Sequence, residues 1–352
     1  MSAQHRVAVI GCGDVSVVHF GAIMGLDHAE LVGVADPNDE RREAASAAHN
    51  VPGFASHLEL FDAVHPDVVH ICTPHYLHAS IAIDALERGI HVIMEKPLAH
   101  TRAEGDRVVE AAERGNAKIA VCFQNRYNLP VQAAHELLAS GGLGAVLGAS
   151  ATVMWHRTAA YYESRPWRGQ WATGGGGLLM NQAIHTLDLL QWLVGPVTDV
   201  RGNASTRALD DVIEVEDTAE LALTHANGAH SVFYATLANA VNAPITLDIV
   251  TERATLSLRG DLTVTHADGR VDVVKEREIA AGGRDYWGIS HELLIHDFYA
   301  RLDADAPFWI SPLEAQKTLE IIQEVYDQSY PERAGHAIST NNTTTTERNA
   351  VS

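Results

Sequence analysis

The chain predicts an α/β protein in two parts: a doubly wound parallel sheet, then an α+β unit built on a large, mostly antiparallel sheet with one open face. Up to about residue 125, short β-branched runs alternate with longer stretches of helical period. Beyond that point, strand-like runs follow one another with few helices between them. The 352-residue length also exceeds that of most single domains. The expected divisions are residues 1–125, 126–335 and a tail over 336–352.

In the first part the strand candidates are Arg6–Ile10, Leu31–Ala35, Val68–Cys72, His91–Met94 and Lys118–Val121. Amphipathic stretches such as Ile81–Arg88, stopped by Gly89, link them. The second part opens with a helix over Pro130–Ala139. Strand candidates follow at Val146–His156, Val197–Thr206, Ala219–Thr224, Ser231–Leu237, Thr246–Thr251 and Ala254–Leu258. Helices are expected over Gly177–Val194, Ile289–Leu302 and Pro312–Tyr326. From His336 to Ser352 the chain is rich in Ser, Thr and Asn, with almost nothing to bury, and disorder is expected there.

The balance of 25 basic against 45 acidic side chains, net −20, repels phosphate backbones and argues against nucleic acid as a partner. No apolar stretch is long enough to span a membrane. The opening MSAQH leaves no room for a secretory leader, so a cytoplasmic protein is expected. Cys12, Cys72 and Cys122 lie scattered in apolar segments, as reduced buried thiols would. The 20 histidines show no metal-ligand spacing, and no metal is expected.

Directly after the first strand comes Gly11-Cys12-Gly13-Asp14-Val15-Ser16, a G-x-G-x-x-S form of the dinucleotide fingerprint. Gly11 permits the tight turn, Gly13 admits a pyrophosphate close to the backbone, and small Ser16 lets the following helix pack on the strand. Asp14 and Val15 begin the helix N-terminus that would face the phosphates. Asp36 ends the second strand about twenty residues on, where its carboxylate can accept both ribose hydroxyls. Pro37 and Asn38 follow it and supply no cation for a 2′-phosphate, so NAD is favoured over NADP.

Glu95-Lys96-Pro97 follows the fourth strand. With GCGDVSVVH, the segment Cys72-Thr73-Pro74-His75-Tyr76-Leu77-His78 and the run from Gly174 to Leu193, it resembles the glucose-fructose oxidoreductase, inositol dehydrogenase and rhizopine catabolism family across nearly the whole chain. The resemblance implies an N-terminal Rossmann fold, NAD as cofactor, and a Lys96 that reaches both the nicotinamide ribose and a substrate hydroxyl, with Pro97 often cis. A lysine beside a positive nicotinamide and partly desolvated has a lowered pKa and can accept a proton. Thr73, Pro74, His75, His78, Glu95, Lys96, Pro97 and Asn125 are the further cofactor candidates.

Asn181 and His185, four apart, project from one helical face. Polyol dehydrogenases of the family often carry aspartate at the first of these positions. Asn181 can orient a hydroxyl but cannot take its proton, so the acceptor is open between Lys96 and His185. Asp188 is expected to orient or cap. Trp155, Arg157, Tyr161, Trp167 and Arg168, with His156, Tyr162 and Trp171 nearby, read equally as a sugar-binding wall or a subunit interface. Tyr286 is a further substrate candidate and His291 a neighbour of the same pocket.

These residues imply hydride transfer between NAD and a secondary alcohol or ketone of a sugar, sugar derivative or cyclitol. The alternatives are a redox-assisted glycosidase or lyase that recycles NAD, and a non-catalytic NAD-binding regulator. The open sheet face needs a cover, so a homodimer or homotetramer is expected.

Overall fold

Apolar runs at the strand positions of the first half are buried on both faces, which only a sheet covered by helices on each side provides. The computed structural model describes residues 4–277 and 290–334; the expected tail and Tyr286 lie outside them. The first half runs β1 (His5–Ile10), α1 (Ser16–Met24), β2 (Ala29–Ala35), α2 (Asp39–His49), β3 (Gly53–Phe54), α3 (His57–Val64), β4 (Val68–Ile71), α4 (His78–Leu86), β5 (His91–Met94), α5 (Arg102–Arg114) and β6 (Ile119–Val121). All pairings are parallel, in the order β3-β2-β1-β4-β5-β6. Five strands were expected; β3, of two residues, is too short to show a period. The order reverses between β1 and β4, which opens a crevice at the carboxyl ends of the strands.

The second half contains α6 (Leu129–Ala139), β7 (Val146–Met154), α7 (Ala159–Glu163), α8 (Trp171–Gly174), α9 (Ile184–Val194), β8 (Val197–Ser205), β9 (Thr218–His225), β10 (His230–Thr236), β11 (Thr246–Thr251), β12 (Ala254–Arg259), β13 (Asp261–His266) and β14 (Val271–Val274). They form an eight-stranded sheet, β14-β13-β12-β11-β7-β10-β9-β8, antiparallel except where β7 meets β10. Sequence pattern missed the β13–β14 hairpin because its outer strand is exposed on every residue but one and shows no buried alternation. The helix expected from Gly177 instead begins with a π-helical turn, Leu179–Ala183, and continues as α9.

Along β10, Ser231, Phe233 and Ala235 point into the core while His230, Val232 and Tyr234 are exposed. Among the described residues, α6, α9 and the last long helix, Pro312–Ser329, pack on this sheet and leave the face bearing Val232 and Tyr234 open. The chain then returns to the first: α10 (Ser290–Ala300) packs on α1, and α11 (Pro312–Ser329), capped by Ser311, packs on α5 as well as on β8. The last element is α12 (Pro331–Ala334). No helix of the described residues is long and apolar enough to cross a membrane.

Candidate active site

A cavity of about 470 Å³ lies at the carboxyl ends of β1, β2, β4 and β5, roofed by the segments after β7 and by the start of α9. The glycine loop forms one end. Gly11 has φ +90°, and a Cβ there would lie 2.7 Å from the Cys72 carbonyl carbon, so no other residue fits. A Cβ on Gly13 would meet nothing within 4 Å, which leaves the space before the α1 N-terminus open for a phosphate. Ser16 Oγ donates to the Gly13 carbonyl at 2.7 Å and braces the turn.

Asp36 is buried, and each of its oxygens accepts a backbone N–H, Oδ2 from Cys12 and Oδ1 from Asn38, both at 2.8 Å. Two donors fix the carboxylate and leave lone pairs for ribose hydroxyls. The expectation that no cation stands near was incomplete. Asn38 caps α2, whose first turn brings Arg41 onto the cavity wall beside Asp36.

Thr73, Pro74 and His75 line the cavity, and Thr73 Oγ1 is buried without a partner. His75 Nδ1 meets the Gly174 carbonyl at 2.8 Å, and its ring packs edge-on against Trp167. His78 and Pro97 are not on the wall. The fully buried His78 ring lies between the carbonyls of Pro97 (2.7 Å) and Thr73 (2.9 Å), tying the end of β4 to the turn after β5. Tyr76 is likewise not among the lining residues.

Lys96, before a cis Lys96–Pro97 bond, lines the cavity and donates through Nζ to the Asn181 carbonyl at 2.7 Å. Burial, reinforced by the Arg168 charge and opposed by Glu95, lowers its pKa from the usual 10.5 to about 8. Glu95 is on the cavity wall beside it, as is His291, the expected neighbour of the pocket; Glu95 Oε1 meets His19 Nε2 at 3.1 Å and His291 Nε2 at 3.0 Å. Burial alone would raise this carboxyl, but the charge and hydrogen bonds of His291 and His19 outweigh it and hold the group well below the usual carboxylate range. His19 Nδ1 continues to His70 Nδ1 at 2.9 Å, and His70 Nε2 to the Tyr299 hydroxyl at 3.1 Å. The His19, Glu95 and His291 ligand atoms lie within 4.8 Å of one another, the one such group of three among the described residues. Glu95 holds both histidines at hydrogen-bond distance.

The π turn and α9 bring Asn181 and His185 to the same cavity. His185 Nδ1 is buried without a partner, and burial together with the Lys96 charge holds its pKa well below 6.5. Asp188 faces away, paired with buried Arg126 at 2.6 Å.

Trp155, Arg157, Tyr161, Trp167 and Arg168 also line the cavity. The Arg157 guanidinium lies over Trp155 and Tyr161, at 5.1 and 5.2 Å from the ring centres, and Arg168 over Tyr161 at 4.8 Å. The neighbouring aromatics part company with them: Tyr162 is buried, and Trp171 Nε1 donates to the Glu214 carbonyl at 2.7 Å. Asp14, Val15 and Asn125 are on the wall. Gln124, Arg165, Gln182 and Ile245 join them unforeseen: Gln124 and Gln182 are chain neighbours of the expected Asn125 and Asn181, and Arg165 reaches the glycine loop through Asp14.

Two family models match the chain: "Oxidoreductase family, NAD-binding Rossmann fold" over residues 5–123 and "GFO/IDH/MocA C-terminal domain" over 131–257. The chain belongs to the GFO/IDH/MocA oxidoreductase family. Among similar members, D-apiose dehydrogenase of Paraburkholderia graminis is 31% identical over 65% of this chain and 60% of its own length. The aligned stretch therefore spans about three fifths of that relative. The WlbA dehydrogenase of Bordetella pertussis, solved with NADH and UDP-GlcNAcA, is 31% identical over 94% of this chain and 97% of that one, with TM-score 0.81. A levoglucosan dehydrogenase solved with NADH and levoglucosan is 25% identical over 94% and 98%, with TM-score 0.83. The family's cofactor fits this structure: the open space before Gly13, the fixed Asp36 carboxylate and the unpartnered Thr73 hydroxyl are an NAD site's donors and acceptors.

Proposed function

We propose that this chain is an NAD-dependent dehydrogenase acting on a secondary alcohol or ketone of a sugar, sugar derivative or cyclitol. The observation that carries the reading is Lys96: a half-buried amine with pKa lowered to about 8, between a glycine-loop dinucleotide site and a wall of tryptophan, tyrosine and arginine. Bound NAD supplies the hydride acceptor at nicotinamide C4. In the oxidation direction, neutral Lys96 takes the hydroxyl proton of the substrate at Nζ, and in reduction the ammonium returns it. His185 stays neutral across the working pH range and is a weak base, so it holds the substrate oxygen rather than taking its proton. The Asn181 carbonyl fixes Nζ from behind, and its side-chain amide orients a neighbouring hydroxyl. Trp155, Tyr161 and Trp167 cover the C–H face of a ring, while Arg157 and Arg168 bond its hydroxyls. Asp14, Val15, Thr73, Pro74, His75, Glu95 and Asn125 line the cofactor half; His78 and Pro97 support it from behind.

Incubating the protein and NAD with a panel of pyranoses, inositols, glycosides and nucleotide-linked sugars tests this. NADH accumulating with a ketone product supports it. Cleavage without net NADH supports a redox-assisted lyase instead.

The open sheet face bearing Val232 and Tyr234 supports assembly into a homodimer or homotetramer. A light-scattering mass near 38.1 kDa at micromolar protein would overturn that. The three free cysteines suit a reducing compartment, the cytoplasm, which cell fractionation tests.

A further inference from the structure

The glycine loop carries a carboxylate where a pyrophosphate must lie. Asp14 follows Gly13 and lines the cavity at its phosphate end. A helix N-terminus offers only about half a positive charge, too little to offset both the phosphates and this acid. One side chain resolves the conflict. Arg165, from the segment between α7 and the turn at residues 166–169, reaches across the cleft and pairs through Nη2 with Asp14 Oδ1 at 3.0 Å. Its Nη1 donates to the Ser164 carbonyl at 2.8 Å, which aims the guanidinium. The other cations of the cavity wall are placed elsewhere: Lys96 against Asn181, Arg157 and Arg168 over the aromatic wall, and Arg41 on α2 beside Asp36.

We propose that Arg165 is the cation that receives the pyrophosphate of the cofactor, exchanging Asp14 for phosphate oxygens when the dinucleotide binds. The planar fork of a guanidinium matches phosphate oxygens in pairs, and a dianion outcompetes a single half-exposed carboxylate. Asp14 holds the arginine in place while the site is empty. Trp167 and Arg168 lie two and three residues beyond Arg165, so the exchange also ties cofactor arrival to the substrate wall. The inference rests on NAD as cofactor and not on the identity of the substrate.

Calorimetric titration of the parent, Arg165→Met and Asp14→Asn with ADP and with adenosine tests it without turnover. Arg165→Met weakens ADP roughly tenfold or more, the scale of a lost charge-assisted hydrogen bond, and leaves adenosine unchanged, which also shows that the cleft is folded. Asp14→Asn binds ADP more tightly than the parent. The proposal is overturned if Arg165→Met binds ADP like the parent, if it loses ADP and adenosine equally, or if Asp14→Asn weakens ADP as much as Arg165→Met does, which is the behaviour of a cleft-closing latch.

Discussion

Two clusters of titratable side chains meet at α9, and they are built on opposite rules. On one side Asp188 takes both arms of Arg126, Nε at 2.8 Å and Nη2 at 2.6 Å, and a hydroxyl from Thr318 at 3.1 Å. Arg126 Nη1 adds Glu314, and the guanidinium lies over Phe123, Trp192 and Trp309. Three residues earlier on the same helix, His185 leaves Nδ1 with no partner, and it lies beside Lys96, whose one hydrogen bond among the described residues goes to a backbone carbonyl. A buried charge bonded through all three of its nitrogens is part of the framework. A buried titratable group left short of partners costs stability, and the cavity in front of it is where a ligand would make up the deficit.

The contrast can be broken by substitution, starting with the largest effect. Asp188→Ala leaves the buried Arg126 guanidinium with Glu314 as its one carboxylate partner and should cost about 3 kcal/mol, the low end for breaking a buried pair, read from denaturant unfolding. His185→Ala should leave the unfolding midpoint near that of the parent and lower kcat on a confirmed substrate by roughly 100-fold, the scale of one lost hydrogen bond to the reacting oxygen. If its loss appeared in stability and not in kcat, the two clusters would not differ as described. Asp36→Ala should weaken NAD binding by about tenfold and narrow the preference over NADP, because it removes a charge-assisted acceptor and the repulsion of a 2′-phosphate together. With Arg41 beside it, NADP should gain in absolute affinity, which calorimetry would detect. Asn181→Ala should be mildest, a few-fold in kcat, since the bond to Lys96 comes from its backbone carbonyl and survives.

The fold was legible because its signals are local. Strands such as β1 and β4 are unbroken apolar runs, and the glycine loop is a short contiguous motif with a strict steric demand at Gly11. The half of the site carried by Gly11, Gly13, Asp36, Lys96, Asn181 and His185 could be read for the same reason, aided by the family resemblance. What escaped depends on returns of the chain from far away. Arg165 meets Asp14 across 151 positions, and His291 meets Glu95 across 196. No period or spacing encodes such contacts. His78 illustrates the reverse: its motif position is that of a ligand residue, yet two backbone carbonyls already occupy its ring nitrogens.

The central claim is that the under-partnered amine of Lys96 is the group that takes the proton. Its pKa is lowered, so the neutral, proton-accepting form grows as pH rises through about 8. Oxidation of the alcohol should climb with pH and level off above that value, and reduction of the ketone should decline over the same range. The direct measurement is the pH dependence of kcat for parent and Lys96→Met, each shown to be folded and NAD-loaded. The account predicts an inflection near 8 in the parent and a variant slowed at least roughly 100-fold with that inflection gone. A variant within a few-fold of the parent, or one that keeps the same inflection, would contradict it.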